Sequence, residues 1–189
     1  MRLILASASA RRRELLAAAG LPFHQDAADT DERRMPDELP EAYVARVAFA
    51  KAQAGHIRHP HDVALGADTV VVVDTDVLGK PTSDLEAAEM LARLSGRSHD
   101  VLTGVALVWA GDHRVIVERT RVWFARLSEA DINWYVRSGE PRDKAGAYAI
   151  QGLASRFVER IEGSHSNVVG LPIARLLQLM RETALAIDG

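Results

Sequence analysis

Between Val63 and Val73 the chain reads Val-Ala-Leu-Gly-Ala-Asp-Thr-Val-Val-Val-Val, an apolar strand that carries a carboxylate, Asp68, inside it. Branched aliphatic residues favour pleated backbone. An ionised carboxylate in such surroundings is costly unless it meets water, a cation or hydrogen-bond donors. Asp68 is therefore expected to face a wet, charged site, with a turn- or helix-capping carboxylate as the competing reading. Asp74-Thr-Asp76 turns the strand into a short return that ends at Gly79-Lys-Pro81.

Around this strand the pattern alternates between strands and helices. Leu3 to Ala6 is apolar and leads through Ser7-Ala-Ser9 into a helix that is expected to bury Leu15, Leu16 and Ala19 and to stop at Gly20. A short strand, Phe23–Asp26, precedes an acidic loop from Ala27 to Pro40 that holds Asp29, Asp31 and Glu32. From Glu41 to Ala54, Tyr43, Val47, Ala50 and Ala54 recur at helical spacing, with Lys51 at the edge of that stripe. Ser83-Asp-Leu-Glu86 reads as a capping box for a helix through Leu94 whose inner face is Ala87, Met90, Leu91 and Leu94. Two β-rich stretches, Ser98–Trp109 and Arg114–Arg126, flank the hairpin signal Ala110-Gly-Asp112. Ser128 opens a helix to about Arg137, and a loop rich in glycine and charge runs from Gly139 to Gly152. A strand at Phe157–Ile161 and a last helix burying Ile173, Leu176, Leu177 and Met180 complete the chain. Strands suited to parallel pairing together with a hairpin predict a mixed α/β (α+β) protein, an elongated mixed sheet flanked by helices.

Length and composition narrow the function classes. The 189 residues suit one domain with a sizeable core. With no cysteine there is no disulfide framework, thiolate metal site or covalent thiol chemistry. A net charge of −3 argues against a general nucleic-acid binder, so any anion site must be local. No apolar run approaches the roughly 20 residues of a membrane span, and a cytoplasmic location with no membrane partner is the expectation.

The chemical candidates follow from residue type and place. Arg11, Arg12 and Arg13 open the first helix, where free backbone N–H groups favour an anion and the dipole disfavours cations. Guanidinium forks there suit a multiply charged phosphate, and a solvated basic helix start is the alternative. Glu32 offers a second carboxylate for a hard divalent cation, which takes one or two carboxylates plus substrate phosphates. Lys51 and Lys80 are point charges for phosphate oxygens. The chain has no Walker loop and no dinucleotide glycine motif, which disfavours a kinase of that type and a dehydrogenase. It also lacks a His-Glu-x-x-His zinc pattern and a Gly-x-Ser-x-Gly elbow, so His99 and His165 read as structural or substrate-contacting.

Taken together and in order, these segments resemble the Maf family, septum formation inhibitor Maf-like nucleotide pyrophosphatases. The resemblance rests on Ser7-Ala-Ser9-Ala-Arg11-Arg12, Asp31-Glu32, Ala48 to Lys51, Gly66-Ala-Asp-Thr69 and Gly79-Lys-Pro81. It continues through Leu94 to Gly104, Asp143 to Tyr148, Ile150-Gln-Gly152 and Asn167 to Pro172. One departure is Ala10, where the family usually has proline; this removes a preset dihedral at the helix start and no chemistry. The resemblance implies a fold similar to inosine triphosphate pyrophosphatases, one domain over 1–189 with two lobes around a cleft. It implies hydrolysis of nucleoside triphosphates to the monophosphate and pyrophosphate, assisted by Mg²⁺ or Mn²⁺. Asp68 would be general base and metal contact, Glu32 a metal ligand, and Ser7, Arg11, Arg12, Lys51 and Lys80 the triphosphate-binding set. The resemblance also places the base-selecting positions at Arg11, Thr69 and Gln151, in the pattern of the dTTP/UTP subgroup. Modified pyrimidine nucleotides are further expected substrates, and a homodimer is the expected assembly. The competing reading is a nucleotide-binding regulator of cell division that senses dTTP or UTP without turnover.

Overall fold

The structure, a computed structural model, describes residues 1–27, 29–183 and 185. Its strands form one mixed sheet in the order β2 (His24–Gln25), β1 (Leu3–Leu5), β3 (Val63–Val73), β5 (Ser98–Trp109), β6 (Asp112–Phe124) and β7 (Val158–Glu162), with β4 (Asp76–Leu78) paired to β3. The chain divides into two compact units, one of Met1–Asp68, Thr103–Glu118 and Gly170–Gly189, the other of Thr69–Leu102 and Arg119–Val169. Among the described residues no helix is long and apolar enough to cross a membrane.

In the first unit, β1 (Leu3–Leu5) is buried throughout and pairs in parallel with β2 (His24–Gln25) and with β3 (Val63–Val73). Side chains of a strand alternate between faces. The odd-numbered residues Leu3, Leu5, Val63, Leu65, Ala67, Val105 and Leu107 pack with Leu16 of α1 (Ala10–Ala18) and with Leu176, Leu179 and Met180 of α6 (Ile173–Glu182). Ala106 and Val108, of the opposite parity, pack with Ala48 and Ala52 of α2 (Pro40–Arg58). Asp68 shares the parity of Ala64 and Gly66, so the strand period alone directs it to the α2 side.

Helix α2 lies unusually close to the sheet because the residues between them are small. A Cβ on Gly66 would stand 2.1 Å from the Ala48 carbonyl oxygen, and one on Gly104 would stand 2.2 Å from that of Val44. The buried stripe of α2 is Val44, Val47, Ala48, Lys51, Ala52 and Gly55. This corrects the expected stripe of Tyr43, Val47, Ala50 and Ala54: the helix is rotated so that its small residues meet the glycines, which moves Lys51 from the edge to the middle of the buried face. In α1 the buried residues are Arg12 and Leu16, while Ala19 is exposed. In α6 Leu179 is buried where Leu177 was expected, and Ile173 and Leu177 are half-buried.

In the second unit, β4 (Asp76–Leu78) folds back antiparallel on β3, matching Val71 with Leu78. Helix α3 (Asp84–Leu94) buries Ala87, Met90, Leu91 and Leu94 as expected. Its cap differs from the expected box: Ser83 accepts from the Glu86 N–H, but the Glu86 carboxylate bonds the backbone N–H and hydroxyl of Thr82, both at 2.6 Å. Strands β5 (Ser98–Trp109) and β6 (Asp112–Phe124) have residues in both units; β5 has the expected bounds, and β6 starts at Asp112 because Gly111, at φ 85°, closes a turn of only two residues. The edge strand β7 (Val158–Glu162) is antiparallel to β6. Helix α4 (Glu129–Arg137) carries the full capping box between Ser128 and Asp131, and α5 (His165–Val169) is short. Segment 139–152, expected as loop, is built of two 3₁₀ turns, Glu140–Asp143 and Ala145–Ala147, followed by buried Tyr148 to Ile150.

Gly66→Ala is expected to destabilise the protein by about 3 kcal/mol or more in urea unfolding, since the added methyl meets backbone that cannot yield. Gly79→Ala, with nothing within 4 Å of the added carbon, serves as the control and should stay within about 0.5 kcal/mol.

Candidate functional site

The first unit gathers six of the nine residues singled out in the sequence. Asp68 is 7 % exposed and Lys51 is 6 % exposed. The Lys51 ammonium donates to Asp68 Oδ1 at 2.9 Å and pairs with Glu32 Oε1 at 2.9 Å. A charge buried inside β3 is thus matched by one brought inward on α2, which answers the desolvation penalty of both. Two of the three ammonium donors are occupied by carboxylates. Lys51 takes one oxygen of each acid, and each acid keeps a second.

The β1–α1 turn supplies the cationic side. Ser9 caps α1, accepting from the Arg12 N–H at 3.4 Å. Arg12, 8 % exposed, turns inward: its Nη1 donates to the Ser7 hydroxyl at 3.1 Å and its Nε to the Gly170 carbonyl at 2.8 Å. Burial lowers the Arg12 pKa from its ordinary value, against the fields of Asp68 and Glu32 and together with the repulsion of neighbouring Arg11. Arg11 is half-buried and Arg13 exposed. Ser7, Arg11, Arg12, Glu32, Lys51 and Asp68 therefore form one electrostatic cluster.

Glu32 reaches this cluster because its loop is moored to α2. Arg46 grips Glu38 with Nε to Oε1 at 2.6 Å and Nη2 to Oε2 at 2.9 Å, and its Nη2 also donates to the Arg33 carbonyl at 2.9 Å. The Tyr43 hydroxyl donates to the backbone oxygen of Glu32 itself at 2.8 Å. Burial, followed by the charges of Asp68 and Glu32, pushes the Tyr43 phenol up to about 12. Tyr43 and Arg46, which hold the loop carrying Glu32, did not stand out in the sequence as site residues. The available signal was spacing: Tyr43 lies eight residues before Lys51, a little over two helical turns, which sets the two on adjoining faces about 80° apart around the helix. Asp31, considered beside Glu32, is instead paired with Arg33 on the exposed side of the loop.

Thr69, Lys80 and Gln151 belong to the second unit. Thr69 follows Asp68 directly on β3 and is half-buried; Lys80 and Gln151 are exposed. His99 is buried among Phe124 and Tyr148, with Nε2 2.8 Å from the Tyr148 hydroxyl, and burial pulls its pKa down to about 4. His165 is exposed on α5. Among the described residues no group of three or more His, Asp or Glu is placed to hold a metal ion by itself. The pair Glu32 and Asp68 instead suits a cation that shares its coordination with substrate phosphates.

Lys51→Met leaves the Asp68 carboxylate buried without its partner and is expected to cost about 3–5 kcal/mol in urea unfolding, with part of the loss recovered in Lys51→Met/Asp68→Asn. The hydrogen bonds from Arg46 hold the Glu38 carboxyl down to about 2, below its ordinary 4.5. Because the folded pKa is depressed, this contribution is complete above pH 4.5 and is lost as pH falls through about 2. Arg46→Ala should return the Glu38 titration toward 4.5, as read from its side-chain carboxyl resonance.

The family model for Maf, described as Maf-like protein, matches residues 2–183. A dTTP/UTP pyrophosphatase of Symbiobacterium thermophilum is 52 % identical over 180 residues, covering 95 % of this chain and 93 % of that protein. One of Myxococcus xanthus is 52 % identical over 186 residues, covering 98 % and 94 %. Among solved structures, the Staphylococcus aureus Ham1 protein superposes with a TM-score of 0.55 at 12 % identity, covering 98 % of this chain and all of that one. A HAM1 protein from Coxiella burnetii gives 0.54 at 15 % identity, covering 96 % and 99 %. The fold is therefore shared with Ham1 proteins, and the sequence, matched over almost its whole length, belongs to the Maf family.

Proposed function

We propose that this protein hydrolyses dTTP and UTP to the nucleoside monophosphate and pyrophosphate, by attack of water at the α-phosphorus. The observation that carries the reading is the buried Lys51 ammonium between Glu32 and Asp68, set beside the Ser7–Arg12 pair. That arrangement combines cations for phosphate oxygens with carboxylates for a proton and a hard cation, which is what phosphoryl chemistry without a covalent intermediate requires. The relatives at about 50 % identity named dTTP/UTP pyrophosphatase support the same chemistry.

Each residue has a part. Arg12, oriented by Ser7 and the Gly170 carbonyl, and Arg11 beside it attract the phosphates at the start of α1, each charged hydrogen bond contributing about 1.5–3 kcal/mol. Lys51 orients Asp68 and directs its remaining N–H at a phosphate oxygen. Asp68 orients the attacking water and takes its proton on the oxygen that Lys51 leaves open. Glu32 and Asp68 together would hold Mg²⁺ or Mn²⁺, which when bound would offset phosphate charge. Lys80 contributes a further cation for the leaving pyrophosphate, and Arg11, Thr69 and Gln151 select the base. An amide that both donates and accepts suits the N3–H and carbonyl edge of uracil and thymine.

Asp68→Asn removes the base and should lower pyrophosphate release from dTTP and UTP by about 10³-fold or more, while dTTP affinity measured by calorimetry changes little. Wild-type protein that binds dTTP with Mg²⁺ or Mn²⁺ yet releases no pyrophosphate from any nucleotide would overturn the enzymatic reading.

A further inference from the structure

In the second unit the irregular backbone on either side of Gln151 is held by buried and half-buried side chains. Gln151 is exposed at the tip of a turn closed by Gly152 N–H to Ala149 carbonyl at 3.0 Å, while Ala149, Ile150 and Ala154 around it are buried. The turn is gripped from below on both flanks. The Ala149 N–H donates to the Tyr135 hydroxyl at 3.1 Å, and that hydroxyl donates to Glu140 Oε1 at 2.8 Å. Beyond the tip, the Leu153 N–H donates to Glu140 Oε2 at 3.1 Å and the Ala154 N–H reaches Oε1 at 3.4 Å. A Cβ on Gly152 would stand 2.3 Å from Glu140 Oε2, so the carboxylate presses directly against the turn. Tyr135 is fully buried, and burial, reinforced by the bond to Glu140, raises its pKa from the ordinary value and keeps it protonated as a donor.

Only a carboxylate meets all these demands. Each of its oxygens accepts, whereas an amide would aim N–H donors at one of the backbone N–H groups or at the phenol. A plain turn needs no such investment, since turn residues ordinarily satisfy their backbone with water. What this turn displays outward is a single amide side chain. We propose that Glu140 and Tyr135 are positioning residues that fix the Gln151 turn and thereby set the base selectivity of the enzyme. The proposal rests on the reading of Gln151 as a base contact. Misplacing a recognition group by about 1 Å is enough to cost orders of magnitude in discrimination.

The test compares kcat/KM for dTTP with that for dCTP, whose exocyclic amine reverses the donor and acceptor at C4. Glu140→Gln should lower the dTTP:dCTP ratio by about tenfold or more, chiefly through KM for dTTP. In a Gln151→Ala background the same substitution should change the ratio less than about twofold, because the two act through one contact. Tyr135→Phe keeps the buried ring, removes the hydroxyl, and provides the same reading should Glu140→Gln fold poorly. A ratio unchanged in both folded variants, or an equal drop in the Gln151→Ala background, overturns the proposal. A Gln151→Ala ratio equal to wild type overturns it together with the base assignment while hydrolysis stands. Should the wild type release no pyrophosphate, the dTTP:dCTP ratio of Kd values from calorimetry scores Glu140 independently of turnover.

Discussion

The Lys51–Asp68 ion pair organises the first unit, because neither charge can exist where it lies without the other. Asp68 stands in a strand whose neighbours on the same face are Ala64 and Gly66, and Lys51 in a helical stripe of Val44, Val47, Ala48, Ala52 and Gly55. The two meet at 2.9 Å where the helix approaches the sheet closely. That approach is possible only where Gly66 and Gly104 lack side chains against the Ala48 and Val44 carbonyls. The glycines in the strands and the small residues in the helix are thus the steric counterpart of the ion pair. Electrostatics and close packing constrain one another here, since a wider gap would admit water and a narrower one would clash.

The cluster around this pair is assembled from four separate segments: the β1–α1 turn, the acidic loop, α2 and β3. Each is restrained by bonds that have no direct part in chemistry. Ser7 and the Gly170 carbonyl aim Arg12, Arg46 and Tyr43 moor the loop that carries Glu32, and the strand period aims Asp68. Such pre-orientation matters for phosphoryl transfer, where catalysis is mostly placement and charge. The second unit follows the same logic with different parts: Glu140 and Tyr135 hold the turn that displays Gln151.

Legibility varied with the strength of the local signal. The bounds of β3 and β5 and the inner face of α3 could be read directly, because long aliphatic runs and a strong apolar stripe leave few alternatives. The stripe of α2 was misjudged by a rotation about the helix axis. Its apolar residues are mostly alanines spread around the circumference, so periodicity is weak, and glycines distant in sequence decided which face turned inward. Ala19, the C-cap of α1, and Leu177 in α6 differ from expectation for a related reason, as Arg12 and Leu179 have tertiary partners that outweigh simple hydrophobic ranking. The candidate residues were legible as types, a carboxylate in a strand and arginines at a helix start, but their partners were not. Tyr43, Arg46 and Glu140 resemble ordinary surface or stripe residues until the chain is folded.

By itself, then, the amino-acid sequence determined the alternation of strands and helices, the presence of a charge in β3 that demanded a partner, and the family to which the chain belongs. The first two follow from local periodicity and from the cost of burying an ion, both properties of short segments, and the third from motifs matched in order along the chain. Only the tertiary structure decided that the partner is Lys51, that Glu32 joins it, and that Tyr43 and Arg46 hold Glu32 there. Those choices depend on which helix face meets two distant glycines, a steric fact spread over residues 44 to 104 that no window of local sequence contains.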